Sequence, residues 1–167
     1  MGLSFSEQGE RSFQAILQKY PADKKKAALI PTLCLAQKEW GHLSPEAMEY
    51  VAGRLDVAPS EVQNTATFYT MLLKEPVGRY HVQVCTNLSC FLRGSDELMH
   101  HCEKKLGIHH GETTADGLFT LNHVECLASC GTAPMMQVND DYFENLTPER
   151  VDELIEGWRK TARSDAP

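Results

Sequence analysis

No apolar run in this chain approaches the roughly 20 residues that a membrane-spanning helix needs. The opening MGLSFSEQGE lacks the basic and apolar regions of a secretory signal. Both absences point to a soluble, intracellular protein. An excess of positive charge is also lacking: 16 basic against 23 acidic side chains give a formal net charge of −7. Non-specific attraction to phosphate backbones is therefore not expected, and nucleic acid is a poor candidate partner. No Ser-His-Asp set, P-loop, G-x-G-x-x-G or H-E-x-x-H motif occurs, so the chain shows no organic active site of its own. Internal repeats and low-complexity runs are missing as well. The start MGLSFS formally matches the myristoylation pattern at Gly2, but so short a pattern recurs by accident and no second anchor stands nearby.

Cysteine is sparse, with six in 167 residues. That density argues against a disulfide scaffold, and a reducing compartment turns the question from bridges to metal ligands. The six divide into two close pairs and two singletons. Cys85 and Cys90 form a C-x4-C pair in VCTNLSCFLRG, and Cys126 and Cys130 form a C-x3-C pair in VECLASCGTAPMM, with 35 residues between the pairs.

The surrounding periodicity says where these pairs sit. Before Pro76 the chain reads as four helices. The first spans about Ser6 to Tyr20 and is stopped by Pro21. The second follows Asp23, runs through KKKAALIPTLCLAQKEW and stops at Gly41, with a kink expected at Pro31. Ser44-Pro45-Glu46 opens the third. Ser60 with Gln63 forms a capping-box pattern for the fourth, which ends near TATFYTM. After Pro76 the texture changes. GRYHVQVC alternates like a half-buried strand, with Tyr80, Val82 and Val84 on one face. SDELMHHCEKKLG reads as a helix, and LFTLNHVEC as a strand after the Asp116-Gly117 turn. PMMQVND and DYFENL form a hairpin around Asn139-Asp140-Asp141, and Thr147-Pro148-Glu149 caps a last helix with Val151, Leu154, Ile155 and Trp158 as its apolar stripe. The expected fold is α/β: a helical region over residues 1–76, a domain with a mixed β-sheet over 77–160 and a frayed tail at 161–167.

On this reading both cysteine pairs lie where a strand of one sheet ends, so folding could bring four sulfurs to one place, and four thiolates together require a cation. Zinc accepts cysteine pairs at such spacings. A [2Fe-2S] cluster also takes four thiolates, and its plant-type spacing begins with C-x4-C. A Rieske centre would need two histidines in these loops, and neither loop contains one. A dithiol oxidoreductase would need C-x-x-C, which is absent. Loop composition favours the cluster over zinc. A two-iron centre is bulky and its bridging sulfides need N–H donors, which suits small residues such as Thr86, Asn87 and Ser89 in one loop and Ala128, Ser129 and Gly131 in the other. Zinc remains the alternative.

The remaining candidates read as structural. Cys102 shares a helical face with Leu98 and Leu106, and Cys34 lies between Leu33 and Leu35, so both are expected to be small buried hydrophobes. The adjacent pairs His100-His101 and His109-His110 cannot easily share one metal, because neighbours on a helix point about 100 degrees apart, and they are read as solvated. Glu112 and Asp116 are two acids around a turn.

Taken in order, ATFYTMLL, GRYHVQVCTNLSC, GETTADGLFTL and VECLASCGTAPMM closely resemble the thioredoxin-like [2Fe-2S] subunit of NADH:quinone oxidoreductase, respiratory complex I. The match spans roughly residues 24 to 160. The resemblance implies a thioredoxin-like domain behind a helical region, with Cys85, Cys90, Cys126 and Cys130 as the cluster ligands. It also implies a flavoprotein partner that holds FMN and binds NADH within a larger respiratory complex. The cluster would serve as a side station for one electron near that flavin. The implied location is cytoplasmic, or peripheral on the cytoplasmic face of the inner membrane, with membrane contact only through the complex. Close relatives serve NAD-linked formate dehydrogenases and hydrogenases, and the GETT stretch leans toward complex I. Departures from the family are small: Ala128 and Ser129 occupy positions where members often show Gly-Ala, which implies a slightly less compact loop or altered hydrogen bonds to sulfur. Pro134 stands where thioredoxin folds often place a cis proline.

Overall fold

The computed structural model describes residues 2–164. The chain divides into two compact units, Met1–Pro76 and Val77–Pro167.

The first unit is helical. Helix α1 spans Glu7–Leu17, and Ser6 caps it by accepting from the Gly9 N–H. Helix α2 spans Leu29–Trp40 and is entered through a short 3-10 turn, Lys25–Ala28. The expected kink at Pro31 does not arise, because Pro31 falls in the first turn of α2, where its missing N–H has no intrahelical partner to lose. Helix α3 spans Pro45–Leu55, with Ser44 as N-cap and Pro45 in the first turn. Helix α4 spans Pro59–Phe68. Here the Ser60 capping box is overturned: the N-cap is Ala58, with no side-chain cap, and Pro59 supplies a φ already set for a helical first turn. Phe13, Leu33, Val51, Leu55 and Val62 form the core of this unit.

The second unit opens with strand β1, Tyr80–Cys85, followed by a five-residue helix α5, Leu88–Leu92, and helix α6, Ser95–Leu106. Strand β2 spans Phe119–Val124, β3 Met136–Val138, β4 Asp141–Phe143, and helix α7 Pro148–Ser164. Helix α5 has no counterpart in the sequence reading, since five residues are too few to show helical periodicity. Thr147 does cap α7, its hydroxyl accepting from the Arg150 N–H at 3.2 Å. Residues 161–164 of the expected tail belong to α7, and the last three residues lie outside the described region.

The sheet order is β2-β1-β3-β4. Strands β1 and β2 pair in parallel, with Cys85 opposite Val124, whereas β1–β3 and β3–β4 are antiparallel. Val82, Val84, Phe119 and Leu121 from the sheet share one core with Leu98 and Cys102 of α6 and with Val151 and Ile155 of α7. The parallel pairing fixes the site. Two parallel neighbours in register present their C-terminal ends side by side, and each of these two strands runs out into a cysteine loop.

Candidate metal centre

Cys85 is the last residue of β1, and its N–H donates to the Met135 carbonyl at 3.1 Å. Beyond it, the Thr86 amide and hydroxyl both donate to the Val124 carbonyl of β2, at 3.1 and 3.2 Å. These bonds tie the start of the first loop to the start of the second. Helix α5 then turns the chain back, so that Cys90, on its third residue, returns to the strand end. The structure brings Cys85 and Cys90 into hydrogen-bond contact and sets Cys130 near enough to act on Cys90 electrostatically.

Cys85 and Cys90 are buried and form a small apolar cluster of their own with Ala133 and Met135, against which Leu127 packs. Leu127, Ala133 and Met135 all come from the second loop and its exit. The two cysteine loops are therefore packed on each other, which spacing could suggest but not establish. Cys126 and Cys130 are exposed. Cys126 Sγ accepts from the Ala128 N–H at 3.3 Å. Ala128 reaches this position at φ 61°, in the left-handed region, so the backbone here takes the shape that glycine adopts at least cost. Cys130 opens a short 3-10 turn, Cys130–Thr132. The Ala133-Pro134 peptide is cis, which the sequence left open.

Burial first, then the hydrogen bond shared with Cys85, pushes the Cys90 thiol up to about 11, while a backbone bond from Met135 opposes that rise. A bound cation reverses the balance, because a coordinating thiol is deprotonated outright. Among the described residues no three His, Cys, Asp or Glu side chains converge closely enough to hold a single metal ion. A two-iron cluster distributes four thiolates over two metals, so it does not require three of them around one point. In chemistry, burial and N–H donors, the donor set fits such a group.

Other sequence candidates lie elsewhere. Cys102 is fully buried in the sheet core, and burial pushes its thiol up to about 12. Cys34 is half-buried rather than buried, because its face of α2 lies at the margin of the helical core. Asp116 closes its own turn, accepting from Thr114 Oγ1 and the Leu118 N–H, while Glu112 accepts from the His109 N–H. His100 is exposed, but His101 pairs with Asp152 at 2.9 Å and His110 stacks on His123 at 4.0 Å, contacts that neighbour-to-neighbour reasoning missed. Glu144 was also missed. It lies 14 residues beyond Cys130 and accepts from the Ser129 and Thr132 hydroxyls of the second loop. No local pattern marks it.

Residues 13–159 match the family model described as thioredoxin-like [2Fe-2S] ferredoxin. The chain is 44% identical over 164 residues to an NADH-quinone oxidoreductase subunit of Rickettsia prowazekii (strain Madrid E), covering 96% of this chain and 92% of that protein. It is 49% identical over 150 residues to the corresponding NADH-quinone oxidoreductase subunit of Rhizobium meliloti (strain 1021), covering 90% and 88%. Among solved structures, an NAD+-reducing [NiFe]-hydrogenase in the air-oxidized state matches with a TM-score of 0.72 at 23% identity, over 89% of this chain and 26% of that one. That last likeness concerns the fold alone.

Proposed function

Because the chain belongs to the thioredoxin-like [2Fe-2S] ferredoxin family, with a helical N-terminal region and a mixed four-stranded sheet, we propose that it is the electron-transfer subunit of an NADH-quinone oxidoreductase. It would hold one [2Fe-2S] cluster on Cys85, Cys90, Cys126 and Cys130. The observation that carries this reading is identity of 44% and 49% with two NADH-quinone oxidoreductase subunits over nearly the whole of both chains. The cysteine pairs at the ends of two adjacent parallel strands agree with it.

When bound, a cluster of this kind supplies one-electron transfer at a potential set by ligation, hydrogen bonds to sulfur and exposure. The chain's own residues do the rest. Cys85 and Cys90, buried with Met135 and Ala133, exclude water from one side of the site. The Ala128 N–H donates to the Cys126 sulfur, and a Met135 backbone bond favours the thiolate form of Cys90. Cys126 and Cys130 stand at the surface, on the side from which an electron can leave or arrive. The partner in this reading is a flavoprotein that carries FMN and oxidises NADH. Among the described residues no helix is long and apolar enough to cross a membrane, so in this reading attachment to the cytoplasmic face runs through other subunits.

Low-temperature EPR on the anaerobically purified chain, before and after dithionite, tests the proposal. The expected result is a silent oxidised sample and, on reduction, a spin-half signal that persists to temperatures at which four-iron clusters broaden away. Silence in both states, with zinc in the metal analysis, would mean that the four cysteines hold a structural ion.

A further inference from the structure

Glu144 follows directly on β4 and reaches back to the loop that carries the second cysteine pair. Its carboxylate accepts from the Ser129 hydroxyl and, at 2.6 Å, from the Thr132 hydroxyl. Those two hydroxyl oxygens lie 2.8 Å apart, and their residues bracket Cys130 and Gly131. The backbone around Glu144 reinforces the contact: the Asn145 N–H donates to the Thr132 carbonyl at 2.8 Å and the Leu146 N–H to the Pro134 carbonyl at 2.9 Å. One acidic side chain therefore closes a clasp over the turn at Cys130.

Proton accounting gives the clasp a chemical consequence. A serine or threonine hydroxyl has one proton to donate, and an ionised carboxylate only accepts. The Thr132 hydroxyl also faces the Ser129 carbonyl at 3.2 Å, so with Glu144 beside them each hydroxyl has an acceptor other than the Cys130 sulfur or a sulfide beside it. The carboxylate also places a fixed negative charge next to a ligand loop. Both effects disfavour adding an electron to a centre that is already anionic.

We propose that Glu144 is a positioning residue that holds the Cys126–Cys130 loop through Ser129 and Thr132 and lowers the reduction potential of the cluster bound there. The inference rests on the cluster reading above. It adds a residue outside the cysteine loops to the set that determines the potential. The hydrogen bonds from Ser129 and Thr132 keep the Glu144 carboxyl below its ordinary range, which favours its charged form.

The test is an EPR-monitored titration of the full chain carrying its cluster, in wild type and in Glu144→Gln and Glu144→Ala. Glu144→Gln keeps an acceptor and removes the charge. It should raise the midpoint by about 30 mV, a roughly threefold change in the one-electron equilibrium at about 59 mV per tenfold. Glu144→Ala also removes the carboxylate acceptor that the two hydroxyls share and should raise the midpoint further. Ser129→Ala keeps the charge and should show no such rise. The clasp is read separately, by amide exchange on the metal-free chain: the Asn145 and Thr132 amides should exchange severalfold faster in Glu144→Ala than in wild type. A wild-type signal together with an unmoved Glu144→Gln midpoint would overturn the inference and leave the cluster assignment standing. Equal exchange in wild type and Glu144→Ala would likewise remove the clasp. Absence of any spin-half signal from wild type would sink the cluster reading itself.

Discussion

Cys126 and Cys102 carry the same thiol in opposite settings. Cys126 is exposed on a strand-end loop with an N–H aimed at its sulfur, whereas Cys102 is enclosed by the side chains of the sheet core. Cys126→Ala should therefore abolish or convert the spin-half signal, while Cys102→Ala should leave it intact at a small cost in stability, on the order of 1 kcal/mol for the cavity left by one sulfur. Equal cluster content in the two variants would refute the ligand assignment. At Ala128 the left-handed backbone, φ 61°, places a Cβ where glycine would have none. Ala128→Gly is expected to raise the stability of the cluster-free chain by up to about 1 kcal/mol, since relief of the left-handed conformation outweighs the added freedom of the unfolded chain. Urea melts of the two proteins measure this directly, and a lower midpoint in the variant would contradict it.

Within the helical unit, α1 and α3 are joined through one side chain. Arg54 of α3 donates to both carboxylate oxygens of Glu10 on α1, at 2.8 and 2.7 Å, and to the Tyr50 hydroxyl. Its guanidinium also lies 4.2 Å from the centre of the buried Phe13 ring. Because Glu10 is partly exposed, the ion pair contributes modestly, and the aromatic contact and buried stem add to it. Arg54→Ala should lower stability by about 1–2 kcal/mol in a denaturant melt. A change within a few tenths of a kcal/mol would show the contact to be passive. Strands β1 and β2 are bridged at one titratable ring. The amide of Asn122 is 2.8 Å from Nε2 of the buried His81 ring, and burial holds the His81 pKa below its ordinary 6.5. Above that value folded and unfolded chains are both neutral at this site, so nothing is lost. Below it the unfolded chain binds a proton that the folded chain resists, and stability falls as the pH drops. The fall should be shallower in His81→Gln than in wild type between pH 6.5 and 5, and parallel curves would exclude His81 as its source.

At the scale of the molecule, the sheet-bearing unit has its own core and holds all four candidate ligands. We propose that it is the cluster-binding domain, and residues 77–167 expressed alone should give the same spin-half signal on reduction as the full chain. A fragment that folds without taking up the cluster would tie the site to the helical unit instead. Much of this was legible in one dimension. Two cysteine pairs at strand ends, the alternation of YHVQVC, and the Ser44 and Thr147 caps are set by short-range chemistry, so spacing alone selected Cys85, Cys90, Cys126 and Cys130 as candidates. Short-range reasoning failed where competing signals lay close together, as at Ser60, where Pro59 began the helix first. It also failed at α5, whose five residues complete too little of a period to be recognised. What only tertiary structure decided are the relations that no local window contains. The parallel register set Cys85 beside Val124. The packing of Leu127, Ala133 and Met135 enclosed the first cysteine pair but left the second at the surface. The return of β4 carried Glu144 back over the Cys130 turn. Side-chain type and spacing are written along the chain, but which distant groups share a dielectric environment and a proton depends on how the sheet closes.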